Sequence, residues 1–199
     1  MGPGAVALGS LGGARCPGTS AVLVTGLAGG CAPGLQPGDV IVGDPVVTAG
    51  SGTAAGLADP GLRARAIRAL DAGRLRYQVG PLLTVADVVT SPADKVGWWR
   101  TEGALAVDME SAHVLAWADR AGLPALAVRA VADGPGDEVP RELLAMLGTD
   151  GRVRARAVVR LLGRPALVGV AWRLAGRSRL ALGSLARFVR AFVDLPGEP

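Results

Sequence analysis

Cysteine, histidine, lysine and aromatic residues are all scarce in this chain of 199 residues. Two cysteines, Cys16 and Cys31, are too few for a disulfide framework, and they lack the C-x-x-C spacing of a metal site. The one histidine, His113, has no partners with metal-ligand spacing. The sequence therefore predicts neither a metal site nor disulfide bonds. With only 4% aromatic residues, alanine, valine and leucine must fill the core.

Long apolar runs are also missing. No stretch of 18 apolar residues exists, and arginines interrupt the best stretch in the C-terminal part. The first residues lack the basic start and compact apolar segment of a signal peptide. At the same time, half of the residues are hydrophobic, which excludes a disordered chain. We therefore expect a cytoplasmic protein with one sizeable core.

Positive charge is concentrated at the C-terminal end. Residues 151–199 contain ten arginines against two acidic residues, Asp194 and Glu198. We expect an Arg-rich helical extension there, following a main domain at residues 1–150. Such helices often present a solvated basic face, but they can also contact anionic lipid at the inner face of a membrane. No nucleic-acid-binding motif accompanies the charge, so nucleic acid is not an expected partner.

Hydrophobic periodicity alternates between strands and helices through residue 135. We predict strands at 21–25, 38–47, 82–90, 104–107 and 125–131, and helices at 59–72, 91–102 and 110–121. Pro45 marks a bulge or an edge in the second strand. Beyond residue 140 the pattern is helical, with breaks near 148–151, near 163–165 and at Gly176. This order predicts an α/β fold with a parallel or mixed sheet.

Three loops at strand ends carry residues of chemical interest. They are a glycine-rich loop after Thr25, the turn Asp108-Met109-Glu110, and the turn at Asp133. Ligands in α/β folds bind at such loops. Taken one at a time, each feature is more typical of structure, because glycines make packing turns, carboxylates cap helices, and aspartate before Gly-Pro forms turns.

Together the three loops resemble one family. The segment ALAVDMESAHVLAWADRAGLPALAVRAVAD (104–133) is similar to the signature of the nucleoside phosphorylase and nucleosidase superfamily, in which a V-D/E-M-E turn opens a helix and a strand ends in R-x-x-S-D. Upstream, TGLAGG and LQPGDVIVGDPV resemble the family's G-x-A-G-G loop and its following strand. The resemblance implies a phosphorylase-like mixed sheet flanked by helices, in a homo-oligomeric enzyme that cleaves N-glycosidic bonds.

The resemblance also implies roles for individual residues. Asp133 matches the general acid that protonates the departing base, Glu110 the carboxylate that binds the ribose hydroxyls, and Met109 the methionine that packs on the sugar. Asp108 matches either a residue that orients these groups or a helix-entry cap. The backbone of the phosphate or sugar loop corresponds to Gly26, Ala28 and Gly29. No cofactor is implied, although inorganic phosphate is a possible co-substrate.

A narrower resemblance concerns the substrate. VTSPADKVGWWRTEGALAVDMES, together with the Arg-rich C-terminal part, looks like the hopanoid-associated phosphorylase branch, which removes adenine from adenosylhopane. This implies a lipid-linked adenine nucleoside as substrate. Two alternatives stay open: a methylthioadenosine or adenosylhomocysteine nucleosidase-like enzyme, and a catalytically degenerate remnant that binds a nucleoside or lipid.

Two departures from the family pattern bear on activity. Ala132 stands where the family has serine before the aspartate, which removes one side-chain hydrogen bond. The family's N-terminal strand, with a carboxylate that activates water, is expected to be missing or eroded, because the chain reaches TGLAGG by residue 25.

Overall fold

The computed structural model describes residues 19–51, 54–140, 142 and 165–196. Within them, six strands form one mixed sheet with helices around it: β1 Val22–Gly30, β2 Val40–Thr48, β3 Ala54–Gly56, α1 Pro60–Ala72, β4 Tyr77–Thr84, α2 Pro92–Glu102, β5 Ala106–Asp108, α3 Ser111–Arg120, β6 Ala125–Asp133 and α4 Pro165–Asp194. The predicted α/β class with a mixed sheet is confirmed. The opening residues, where the family's first strand was expected to be missing, lie outside the described part.

The sheet closes on itself. Its strand order is β3-β2-β4-β5-β1-β6, and β6 pairs in addition with β2. Strand β1 runs parallel to β6 and antiparallel to β5, so Gly29 is the register partner of both Asp133 and Val107. The last residues of β5 and β6 therefore lie on either side of Gly29 in β1.

The predicted glycine loop after Thr25 is wrong, because the glycines lie within β1. The strand continues to Gly30, where the parallel ladder with β6 and the two pairs with β5 hold its backbone. A Cβ at Gly30 would stand 3.1 Å from Val131 and 3.2 Å from a backbone oxygen of β6. The glycines therefore allow close packing of neighbouring strands rather than a turn.

Two other boundaries differ from the prediction. Strand β4 covers Tyr77–Thr84 instead of 82–90, because its ladder with β2 begins at Tyr77 and the chain leaves the sheet after Thr84. Helix α4 passes through Gly176 without a break, since tertiary packing outweighs the weak helix propensity of one glycine. At Pro45, β2 has a bulge, seen as a register shift against β4 between Gly43 and Val46.

Helix α4 packs on the same core as the sheet. Its buried residues Ala181, Leu185, Phe188 and Phe192 form a cluster with side chains of β2, α1 and β6. Arg65 of α1 donates hydrogen bonds to the carbonyls of Phe192 and Leu195 at the end of α4, and its guanidinium lies 4.9 Å from the Phe192 ring centroid. Among the described helices, α4 included, none is long and apolar enough to cross a membrane.

Candidate active site

A pocket of about 250 Å³ lies where β1, β5 and β6 end. It is lined by six of the seven residues that the family resemblance selects: Ala28, Gly29, Asp108, Met109, Glu110 and Asp133. The remaining seven lining residues are apolar: Leu27, Val85, Val88, Val89, Val107, Ala132 and Val139. The fold thus brings three acidic residues to one largely apolar cavity.

Gly26, the seventh residue, lies outside this lining. A Cβ there would stand 2.1 Å from Nη1 of Arg129, which is buried on the neighbouring strand β6. The glycine therefore makes room for an arginine side chain. Gly29 does line the pocket, and a Cβ at that position would stand 3.4 Å from Oδ2 of Asp133.

Arg129 organises one side of the pocket. Its Nη2 lies 2.7 Å from Oδ2 of Asp108 and 3.5 Å from Oε2 of Glu110, and its Nε donates to the Ser111 hydroxyl at 3.0 Å. Asp108 also accepts hydrogen bonds from the Thr84 hydroxyl at 2.6 Å and from the Ser111 amide. The Asp108 carboxylate is therefore bonded to protein groups, and it both orients Arg129 and binds the first amide of α3.

Glu110 differs from Asp108 in its exposure. It occupies the N-cap position of α3, but its side chain makes no capping hydrogen bond. One-third of the Glu110 side chain is exposed, while that of Asp108 is fully buried. Glu110 thus presents a carboxylate oriented by Arg129 to the pocket, beside Met109. A carboxylate in such a place can accept hydrogen bonds from hydroxyl groups of a ligand.

The other side of the pocket is organised by Lys95. This lysine is fully buried on α2, and its Nζ is bonded to Oδ2 of Asp133, to the Gly134 carbonyl at 3.1 Å and to the Asp137 carbonyl at 2.8 Å. The Asp137 carboxylate accepts from the Gly134 amide at 2.8 Å and pairs with Arg177 of α4 at 2.6 Å. The turn after β6 is therefore held from both flanking helices.

Burial raises the pKa of Asp133 above its ordinary value, and the adjacent Lys95 ammonium opposes that effect without cancelling it. The pKa of Asp137 is shifted in the opposite direction. Burial tends to raise it, but the Gly134 amide and Arg177 together lower it below its ordinary value. Of the two carboxyls in this turn, Asp133 is thus the one that keeps a proton more readily, as a general acid requires.

Lys95 and Arg129 had no role in the predictions from sequence. Each was marked by an anomaly: Lys95 is the single lysine in an arginine-rich chain, and Arg129 is the one charged residue in the apolar strand ALAVRAV. Their partners lie 38 and 18 or more residues away along the chain, so only the fold shows the pairing. No group of three or more metal-ligating side chains is found in the described ranges.

The chain belongs to the phosphorylase superfamily, because the model of that family matches residues 6–163. The membership confirms the superfamily that the three motifs indicated, and with it the prediction of an enzyme that cleaves glycosyl bonds. No curated protein matches the chain.

Similar solved structures include a futalosine hydrolase and two nucleosidases. Futalosine hydrolase of Helicobacter pylori strain 26695 superposes with a TM-score of 0.70 at 17% identity, covering 98% of this chain and 76% of that one. The 5'-methylthioadenosine/S-adenosylhomocysteine nucleosidase from Neisseria meningitidis gives a TM-score of 0.63 at 19% identity, covering 88% and 69%. The corresponding H. pylori enzyme gives 0.63 at 17% identity, covering 89% and 69%. At such low identity these similarities concern the fold.

Proposed function

We propose that this enzyme cleaves the N-glycosidic bond of an adenine nucleoside, and that its substrate is adenosylhopane, from which it releases adenine. The observation that carries the proposal is the placement of Asp133, whose pKa is raised by burial, in one pocket with the Arg129-oriented Glu110. The first group suits protonation of a leaving base, and the second suits binding of sugar hydroxyls.

The chemistry follows from these two groups. As the bond between sugar and base breaks, positive charge develops on the sugar and negative charge on the base. Asp133 donates its proton to a base nitrogen, which relieves the negative charge and contributes roughly 10²–10⁴-fold to the rate. Glu110 accepts hydrogen bonds from the sugar hydroxyls, and Met109 packs on the sugar. Water or inorganic phosphate then attacks the anomeric carbon.

Two features support a lipid-linked substrate. Val85, Val88, Val89 and Val139 line the pocket, and Val88 is 45% exposed, which gives the pocket an apolar margin. Such a margin favours an apolar substituent on the sugar more than a charged one.

The outer face of α4 supplies the second feature. It exposes Trp172, Leu180 and Leu182 together with Arg173, Arg179 and Arg187. Apolar side chains interspersed with arginines fit an anionic membrane surface, where the arginines contact headgroups and the apolar side chains enter the interface. We propose peripheral binding to the membrane through this face.

The alternative function is cleavage of a soluble adenine nucleoside. It is favoured by the fold shared with the methylthioadenosine/S-adenosylhomocysteine nucleosidases. A third possibility, a degenerate protein that only binds nucleoside or lipid, is favoured by Ala132, since this pocket residue has no hydroxyl to donate beside Asp133.

Adenine release, measured by chromatography, distinguishes the three candidate functions. Adenosylhopane and methylthioadenosine are each incubated with the protein, with and without phosphate, alongside Asp133→Asn and the control Asp119→Asn, which changes an exposed carboxylate on α3. We expect release from adenosylhopane, lost in Asp133→Asn and kept in Asp119→Asn, and a phosphate requirement would identify the nucleophile. Release from methylthioadenosine alone would support the alternative, and no release by folded protein would support the binder.

Sedimentation with lipid vesicles tests the membrane contact. We expect the protein to sediment with vesicles that contain anionic phospholipid and to remain in solution with purely zwitterionic ones, because the arginines need negative headgroups. Replacing Trp172 by Gln should weaken sedimentation. The exchange of the exposed His113 for Gln, on a different helix, serves as the control. Equal sedimentation with both kinds of vesicle would argue against the contact.

A further inference from the structure

The Lys95 side chain is fully buried near the pocket, yet it does not line the pocket itself. Its three contacts are the Asp133 carboxylate at the end of β6 and the carbonyls of Gly134 and Asp137 in the turn that follows. A lysine ammonium has three N–H donors. Each donor therefore has an acceptor, and all three acceptors belong to the segment that carries the candidate acid.

This arrangement of three acceptors suits lysine better than arginine. Three donors that diverge from one nitrogen can reach three acceptors around a point, whereas the donors of arginine lie in a plane. Neutral side chains of similar length, such as methionine, would leave two buried carbonyls and a carboxylate without this partner. The only lysine of the chain thus occupies a position whose three acceptors suit an ammonium better than a guanidinium.

The contact with Lys95 also makes the two carboxyl oxygens of Asp133 different from each other. Oδ2 is bound by Lys95, while no described residue donates a hydrogen bond to Oδ1. Asp133 lines the pocket, and 15% of its side chain is exposed. Oδ1 is therefore the oxygen that can hold a transferable proton.

We propose that Lys95 is the positioning residue of the general acid: it fixes the Asp133 carboxyl with Oδ1 as the proton carrier and stabilises the carboxylate that remains after proton transfer. This inference rests on the function proposed above. In the step, the bond between sugar and base breaks with its electron pair moving to the base, and the Oδ1 proton passes to a base nitrogen. Asp133 becomes an anion beside the Lys95 cation.

The charged and titratable groups around Asp133 come from four parts of the fold. Lys95 approaches from α2, Arg177 from α4, Asp137 from the turn and the Cys31 thiol from the segment after β1. Burial raises the pKa of Cys31 to about 12, so this thiol stays neutral at physiological pH. Burial favours the protonated form of Asp133 before proton transfer, and Lys95 favours the carboxylate that remains afterwards, so the two effects oppose each other.

The first test uses the single lysine as a probe. Protein labelled with ¹⁵N-lysine and made without added lysines gives one Nζ signal. We expect its chemical shift to follow the ionisation of Asp133 with pH and to lose that transition in Asp133→Asn. A wild-type shift that stays unchanged over the pH range in which Asp133 titrates would overturn the proposal. This measurement needs no turnover, so it is independent of the substrate and of the proposed activity.

The second test uses kinetics. Lys95→Met should lower kcat at least ~10-fold with little change in KM, and should move the basic limb of the pH profile of kcat to higher pH, because Asp133 becomes a weaker acid. In Lys95→Arg, the basic limb of the pH profile should lie between those of the wild type and Lys95→Met. Arg100→Met, which removes an exposed cation of the same helix, should leave kcat unchanged. An unchanged limb with a raised KM would assign Lys95 a merely structural role.

Combining the variants covers the case in which Lys95→Met folds poorly. Lys95→Met with Asp133→Asn removes both charges, so no unpaired buried ion remains. If Lys95 acts through Asp133, the double variant should be as active as Asp133→Asn alone. A further loss of activity beyond that of Asp133→Asn, in protein with an unchanged melting temperature, would contradict the proposal.

Discussion

On each side of the pocket a carboxyl group contacts a buried cation. The two carboxyl groups differ in how many of their oxygens already have a hydrogen-bond partner. On the Arg129 side, both oxygens of Asp108 are bonded, with Thr84, Ser111 and Arg129 as partners. On the Lys95 side, the cation binds one oxygen of Asp133. The comparison indicates that a saturated carboxylate serves to position its neighbours, while a half-saturated one can exchange a proton.

The largest expected effect comes from breaking the saturated side. Arg129→Met would leave Asp108 buried without its cation, and we expect unfolding free energy to fall by about 3–5 kcal/mol. Urea unfolding measures this. The control is Arg63→Met, which removes the 2.5 Å ion pair with Asp44 from a side chain that is 43% exposed, and should cost under about 1 kcal/mol. Equal losses of unfolding free energy in both variants would mean that burial of the Arg129 ion pair does not increase its effect on stability.

A Glu110 variant tests whether this partly exposed carboxylate binds ligand and contributes little to stability. Glu110→Gln should reduce kcat/KM about 10- to 100-fold, because a hydrogen bond to a charged group contributes about 1.5–3 kcal/mol. Stability should change little, since the side chain is one-third exposed. Steady-state kinetics and thermal melting give the two readouts, with Glu102→Gln, at the exposed end of α2, as the control. Full activity in Glu110→Gln would remove it from the site.

Gly26 tests the room that β1 leaves for Arg129. In Gly26→Ala the new methyl would stand 2.1 Å from Nη1, so Arg129 must shift, and we expect a loss of about 1–3 kcal/mol. Gly176→Ala in α4 meets no atom within 4 Å and should gain up to about 1 kcal/mol. Chemical denaturation of both variants measures the contrast. An opposite order would show that Arg129 has freedom to move.

The smallest effect concerns pH. The pKa of Asp137 is lowered by the Gly134 amide and Arg177 against the effect of burial, so its ionised form adds stability above the ordinary aspartate pKa of about 3.9. That stability is lost as pH falls through the lowered value. Arg177→Met should reduce this acid dependence by well under 1 kcal/mol, since the pair is partly exposed. Urea titrations at neutral and acidic pH, with the exposed Arg190→Met as control, measure it.

Local signals in the sequence predicted local structure. Ser91 before Pro92 indicated a helix start, and the Ser91 hydroxyl does accept from the Asp94 amide. The turn at 108–110 was expected to open a helix, and α3 begins at Ser111. The superfamily, too, could be recognised, because its motifs are contiguous segments.

Features that depend on distant partners could not be predicted. The glycines after Thr25 form a strand because β5 and β6, about 80 and 100 residues later, supply the hydrogen bonds. The pairing of Lys95 with Asp133 depends on how α2 packs against the turn after β6. No periodicity encodes either contact, and a single lysine or a glycine-rich run has several possible structural causes.

The ion pair between Arg177 and Asp137 joins two regions to which we assign different roles. It links the middle of α4, whose exposed face we propose to bind a membrane, to the turn that follows Asp133. Arg65 and the apolar core hold the rest of the helix. A displacement of α4 at a membrane surface that reached Arg177 would therefore act on the turn next to the proposed acid.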